Sequence, residues 1–285
     1  MRAVLRWVAM GAGLLLVVTA GLGLAAYRKF STNIRTDRAA ERVLAQYAGE
    51  RPPALVPGAQ NILVLGAARA ARAADGADGA DGAQGTGTAK AADAAVLLHL
   101  SAGRHRAAAL GVPSDLMVAA PSCVRPDGGT SPAAYEPFGD TFRDGGAACS
   151  IRVFERLSGI RVDHHLVVDV AGFHKIATAV GGRTLDHEGD EGELPRTLVR
   201  AARGVRGGDG TLTHPARLYG LLDTATSSIT ADPGLASLPA LYELAGSLRA
   251  LPAGGLVPVP AAKPGAEQLF AAVRADRPLP TAFSQ

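Results

Sequence analysis

Asn61-Ile62-Leu63-Val64-Leu65-Gly66 sets four large apolar side chains in a row between an amide and a glycine. The run has no polar alternation, so it does not fit a strand with one wet face. It fits a strand buried on both faces of a layered core. Outward along the chain, residues 94–100 and 107–112 carry two more apolar runs that read as strands, and His165-Leu166-Val167-Val168-Asp169-Val170 reads as another. Residues 151–157 have helical spacing that stops at Gly159, and 173–180 reads as a helix closed by Gly181-Gly182. The last third is mostly helical, over 215–226, 235–251 and 266–275. Within it Leu256-Val257-Pro258-Val259-Pro260 reads as an edge strand, because proline cannot donate to a central ladder. The expected class is α/β, a central mixed sheet flanked by helices.

Residues 73–90 repeat Ala-Asp-Gly three times before Ala-Gln-Gly-Thr-Gly-Thr, a composition that cannot pack and predicts a mobile loop. The spacing of Asp75, Asp78 and Asp81 fits no calcium loop. Towards the N-terminus, 35–46 has helical character, and Arg51-Pro52-Pro53 ends it. Further out, residues 7–27 hold no charge between Arg6 and Arg28, and 21 residues of helix span about 30 Å, the depth of a bilayer core. Trp7 and Tyr27 stand at the two ends, where amphipathic aromatics prefer the interface. A cleaved signal peptide is the alternative, with Gly23 and Ala25 as the small pair before a cut; the length of the run favours an uncleaved anchor. The expected organisation is an anchor over 1–30, a membrane-proximal segment over 31–58 and one domain over 59–285.

The formal net charge is +3, and of 29 basic residues only Lys29, Lys90, Lys175 and Lys263 are lysines. Arginine suits bidentate grip on phosphate, although a GC-rich genome that also inflates Ala and Gly explains the bias equally well. Aromatic-basic interleaving, zinc spacing and a helix-turn-helix pattern are all missing from the sequence, so no nucleic-acid partner is expected. Cys123 and Cys149 are the two cysteines. An even count in a domain outside the cytoplasm points to one disulfide, with two buried thiols as the alternative. Arg2 and Arg6 precede the span while Arg28, Lys29, Arg35, Arg38 and Arg42 follow it, which argues mildly against an outside C-terminus. That rule is weak for long domains.

The order of several short patterns then resembles the LytR-CpsA-Psr family: Asn61 to Gly66, Asp93, Val112-Pro113-Ser114-Asp115, Gly145-Gly146, Gly159-Ile160-Arg161-Val162-Asp163-His164, and Asp169-Val170-Ala171-Gly172-Phe173 with Gly181-Gly182. The resemblance covers residues 55–183 well and returns in 215–280. It implies a membrane-anchored, extracytoplasmic domain of cell-envelope assembly. The family transfers glycopolymers from polyprenyl-pyrophosphate carriers to peptidoglycan, with an apolar slot for the prenyl tail and with magnesium and arginines on the pyrophosphate. The implied partners are thus a polyprenyl-phosphate lipid, the membrane, and peptidoglycan or a wall glycopolymer.

Carried over residue by residue, the resemblance is incomplete. The family's first metal aspartate falls on Ala68, and a nearby arginine on Ala70, with Arg69 and Arg72 close by. The second metal aspartate matches Asp93, but the arginine and final threonine around it are Ala91 and Ala94. The phosphate arginine of an Ile-Pro-Arg-Asp pattern is Ser114, followed by a matching Asp115; the asparagine before the Ala-Tyr pair is Pro132. An Arg-x-Arg segment and an Arg-Gln helix should follow Gly182, where this chain has only the short segment 183–214. Arg196, Arg200, Arg203 and Arg206 fall near one helical face there, as a remnant of that basic wall or as a solvated face. The candidate catalytic residues are therefore Asp93 and Asp115, with Asp93 also the metal candidate and Arg69, Arg196 and Arg200 the substrate candidates. Magnesium is expected only of an active copy. Each lost electrostatic contact costs about 2.7–4 kcal/mol of transition-state stabilisation. The expectation is an impaired or inactive member, the alternative an active phosphotransferase with a rearranged site.

Overall fold

The computed structural model describes residues 2–67, 92–125, 128–169, 215–251, 256–260 and 265–283. In chain order the described elements are α1 (Arg2–Asn33), β1 (Arg35–Thr36), α2 (Arg38–Gln46), β2 (Gln60–Ala67), β3 (Ala92–Leu100), β4 (Ala107–Val112), β5 (Met117–Ala120), β6 (Ala134–Pro137) and α3 (Phe138–Ser158). They continue with β7 (His164–Asp169), α4 (Pro215–Ser227), β8 (Ile229–Ala231), α5 (Leu238–Ala250), β9 (Leu256–Pro260) and α6 (Ala266–Arg274).

The Asn61–Gly66 run forms most of β2, the middle strand of a seven-stranded sheet ordered β1-β8-β7-β2-β3-β4-β9. β2 runs antiparallel to β3 and parallel to β7, so the sheet is mixed. Its side chains alternate between two cores. Leu63 and Leu65 join Leu97, Leu110, Phe154 and Leu269 on one face. Ile62 and Val64 join Val96, Leu100, Leu166 and Leu235 on the other. Burial on both faces is why the run needed no polar alternation. β9 lies at the sheet edge, as its prolines required.

Two local readings need correction, and three short strands were missed. Residues 35–46 are not all helical: Arg35 and Thr36 pair in parallel with Thr230 and Ala231 before α2 begins at an Asp37 cap. The helix read over 151–157 is the end of α3, whose backbone breaks at Gly145 and Gly146. β8 and the β5–β6 hairpin were not read at all, because they are three or four residues long and mostly half-exposed. The helix read over 173–180 and the loop over 73–90 lie outside the described residues.

Several of the short patterns have local structural reasons. Gly159 ends α3 in the left-handed conformation. Ile160 and Val162 are buried, and Asp163 starts the β2–β7 pair by accepting from the Asn61 amide at 2.9 Å while its own amide donates to the Asn61 carbonyl at 2.8 Å. A side chain at Gly145 would meet the Cβ atoms of Cys123 and Cys149, each at 2.8 Å.

Those two cysteines form a disulfide across a sequence separation of 26, tying the segment after β5 to α3. Closing such a loop contributes about 3–4 kcal/mol on the chain-entropy account. Peptide mapping without reductant should find the two cysteine peptides linked. Two freely alkylated thiols in protein from its native compartment would contradict the pairing.

Residues 34–51 are built into the domain. Ile34 is buried, Ala40 and Leu44 join the core beneath α3, and Arg51 makes an ion pair with Glu155 at 2.7 Å. α1 divides into two parts. Phe30 is 7% exposed, whereas Trp7, Leu14, Leu16 and Leu22 are 67–71% exposed. Residues Met10–Asn33 are long and apolar enough to cross a bilayer.

Candidate functional site

Four strand ends meet at one end of the sheet. β2 finishes at Ala67 and β7 at Asp169, and these two are register partners. β3 enters from the same end, with Ala92 opposite Ala67 and Ala94 opposite Gly66. Asp93 therefore occupies the bulge between them, where one strand carries an extra residue. β4 leaves at Val112, opposite Ala95 of β3. Ser114 lies two residues past Val112 and Asp93 two residues before Ala95, so both belong to this end.

The turn after β4 is held by its backbone. Leu116 donates to the Pro113 carbonyl at 3.2 Å, and Gly139 donates to the Ser114 carbonyl at 2.8 Å. Asp115 is exposed on that turn. The structure thus brings the positions of Asp93 and Asp115 to one end of the sheet. Arg69, Arg196 and Arg200 lie outside the described residues, as do Ala68 and the segment 183–214.

Asp169 is the residue that sequence reading quoted in a pattern without assigning it a role. Its register with Ala67 puts it on the far side of β2 from Asp93, at the same strand ends. The available signal was its place as the polar residue closing an apolar strand, which does not say which strand lies beside it.

The second face of the sheet supplies an apolar surface. Leu98, Val168 and Ile229 of the sheet and Leu241, Leu244 and Leu248 of α5 are partly buried and pack against the same core there. The first face is packed by α3 and α6 around fully buried Phe138, Phe154 and Leu269.

The opposite end of the sheet gathers more visible charge, yet its groups satisfy one another. His99 Nδ1 is 2.8 Å from Asn61 Oδ1, and its Nε2 is 3.3 Å from Asp276. Asp276 also accepts from the Ala102 amide at 3.0 Å and faces Arg106 at 3.5 Å. Burial pushes the His99 imidazole below its ordinary range, which favours the neutral ring. This cluster latches the β3–β4 turn to the end of α6. His164 donates from Nδ1 to Asp232 at 3.1 Å, and that bond raises the His164 pKa. It joins β7 to the segment after β8. Among the described residues, no group of three His, Cys, Asp or Glu side chains is arranged to hold a metal ion.

The sequence profile of the LytR_cpsA_psr family matches residues 26–196, more than half of the chain. No curated protein matches. Among solved structures, the chain is similar to protein gbs0355 from Streptococcus agalactiae, at 13% identity and a TM-score of 0.51 over 78% of this chain and 90% of that one. It is also similar to a LytR-Csp2A-Psr enzyme from Actinomyces oris, at 15% identity and a TM-score of 0.47 over 78% and 93% of the two chains. TagV of B. subtilis is 13% identical, with a TM-score of 0.46 over 78% and 96%. At such identities the likeness concerns the fold alone.

Proposed function

Because the chain belongs to the LytR_cpsA_psr family, we propose that it is a membrane-anchored, extracytoplasmic protein of cell-envelope assembly whose transferase site is impaired or inactive. The observation that carries this reading is the composition of the shared strand ends. β2 closes on Ala67 and continues into Ala68, and the turn after β4 offers Ser114, so two positions that carry charge in the family carry none here. Asp93 remains, and a strand-end aspartate of this kind also serves simply to cap local amides.

Magnesium, which the resemblance implies for an active copy, does not fit these donors. It demands hard oxygen ligands in near-octahedral geometry. The position of the family's first metal carboxylate is Ala68 here, which brings no side-chain oxygen to the ion. The apolar second face depends on none of the missing charges. Burying a prenyl chain gains about 0.8 kcal/mol per methylene, so lipid binding outlasts catalysis. The lipid partner is a polyprenyl phosphate, and a wall glycopolymer or peptidoglycan is the partner beyond it.

One observation favours the second reading, an active transferase with a rearranged site. Asp169 stands in register beside Ala67, which puts a carboxylate residue on the strand next to the vacated one.

Two measurements test the proposal. A reporter active only in the cytoplasm, fused after Gln285, should be silent; strong activity would overturn the extracytoplasmic placement. The purified full-length chain should bind a polyprenyl phosphate weakly, with no dependence on added magnesium. Binding that requires magnesium would favour the rearranged active site.

A further inference from the structure

The last turn of α1 is fastened to α4 rather than linked to the domain by a tether. Phe30 stacks at a tilt on Tyr219, with ring centroids 5.2 Å apart. Asn33 donates to Asp223 at 3.0 Å and to Thr226 at 3.1 Å, and Lys29 reaches Asp223 at 3.3 Å. Positions 219, 223 and 226 lie on one face of α4, and 29, 30 and 33 on one face of α1. Phe30 meets Tyr219 and Asn33 meets Asp223 and Thr226, and both helices lead within two residues into the parallel β1–β8 pair, so α1 and α4 run in the same general direction. α4 therefore begins on the side from which α1 arrives.

That direction sets a height. The uncharged run of α1 ends at Tyr27. Phe30 is three residues on, about 4.5 Å of helical rise. The polar layer on each side of a bilayer core is roughly 5–7 Å deep. Tyr219, level with Phe30 and 45% exposed, falls inside that layer, where tyrosine is favoured. Leu222, 37% exposed, lies three residues further out, about 9 Å beyond the core and just outside that layer.

The same fastening orients the sheet. β1 starts two residues after Asn33, and β8 starts two residues after α4. Ile229 at the start of β8 pairs with Val168, and the Asp169 amide donates to the Ser228 carbonyl at 2.9 Å. The sheet end nearest the base of α1 is thus the one that carries Asp169, Asp93 and the Ser114 turn. The His99–Asp276 latch is at the far end. β3 spans about 30 Å between the two.

We propose that the α1–α4 fastening seats the start of α4 in the lipid headgroup layer and holds the Asp93–Asp169 end of the sheet towards the bilayer surface. The partner is the lipid surface itself, and the inference rests on α1 crossing the membrane, as in the reading above.

The test uses the full-length chain in phosphatidylcholine–phosphatidylglycerol vesicles containing a lipid with a headgroup nitroxide. Fluorophores are attached, with the native disulfide intact, to Leu222→Cys and to His105→Cys in the exposed β3–β4 turn. Trp7, the only tryptophan, reports on α1 independently. The expected result is quenching of Trp7, and quenching at 222 about threefold or more above that at 105, since only a label near the headgroup layer meets the quencher. Trp7 quenched with equal, weak quenching at 222 and 105 overturns the orientation and leaves the membrane span standing. Unquenched Trp7 overturns both.

Discussion

Turnover of a polyprenyl pyrophosphate by the full-length chain is expected to fall about ten-thousandfold or more below that of an active family member assayed beside it, because electrostatic groups carry most of such catalysis. A pyrophosphate holds several negative charges, and the transition state spreads charge over its oxygens. Ala68 brings no side-chain oxygen to an ion, and neither Ser114 nor Ala91 brings positive charge to a phosphate. One lost contact of this kind is a factor of about a hundred to a thousand, and losses within one site do not add simply. The residual rate should be indifferent to magnesium and to Asp93→Ala. Turnover within about tenfold of the control, abolished by Asp93→Ala, would instead show electrostatic catalysis intact and the proposal wrong.

Glu155→Ala should destabilise the domain by about 3–5 kcal/mol, the cost of stranding one partner of a buried ion pair. The Glu155 side chain is 2% exposed and that of Arg51 14%. Arg51 donates from Nε to both carboxylate oxygens, at 3.1 and 3.0 Å, and from Nη2 at 2.7 Å. Glu155 also accepts the Val162 amide at 2.9 Å, while Arg51 reaches the Val162 carbonyl at 2.6 Å. Removing the carboxylate strands a guanidinium and an amide together. It also loosens three segments at once: the chain after α2, the end of α3 and the loop that starts β7. Thermal melting of the full-length chain in detergent should drop by about 10 °C. A companion Arg51→Met, Glu155→Leu double variant should recover part of the loss, since an apolar pair strands no charge. A drop of only about 2 °C for Glu155→Ala would mean that the pair contributes little.

The two predictions draw on different kinds of legibility. α1, β2, β4 and β9 were readable because their signals are local: an uncharged run of bilayer length, a strand apolar throughout, a strand edged by prolines. Gly159 marked the end of α3 because a left-handed residue there favours glycine whatever surrounds it. Cys123 and Cys149 were readable as a pair because the chain has no third cysteine. The departures at Ala68, Ala91 and Ser114 were visible in the sequence alone, because each replaces a charged residue type with an uncharged one.

The tertiary structure decided what depends on neighbours far along the chain. Arg35 and Thr36 have no strand signal of their own; they are a strand because β8, nearly two hundred residues on, offers its edge. β8 is three residues long, and only its pairing with β7 defines it. Asp169 came to stand beside the end of β2 through its register with Ala67, and pairing register is not a property of either strand's sequence. The seat of α1 on the domain was set in the same way, by Lys29, Phe30 and Asn33 meeting Tyr219, Asp223 and Thr226. Local sequence fixes which segments are helices and strands through backbone and burial preferences. Which strand ends meet is fixed by pairing between residues about a hundred positions apart, such as Ala67 with Asp169, and the seat of α1 on α4 by a contact between residues 190 positions apart.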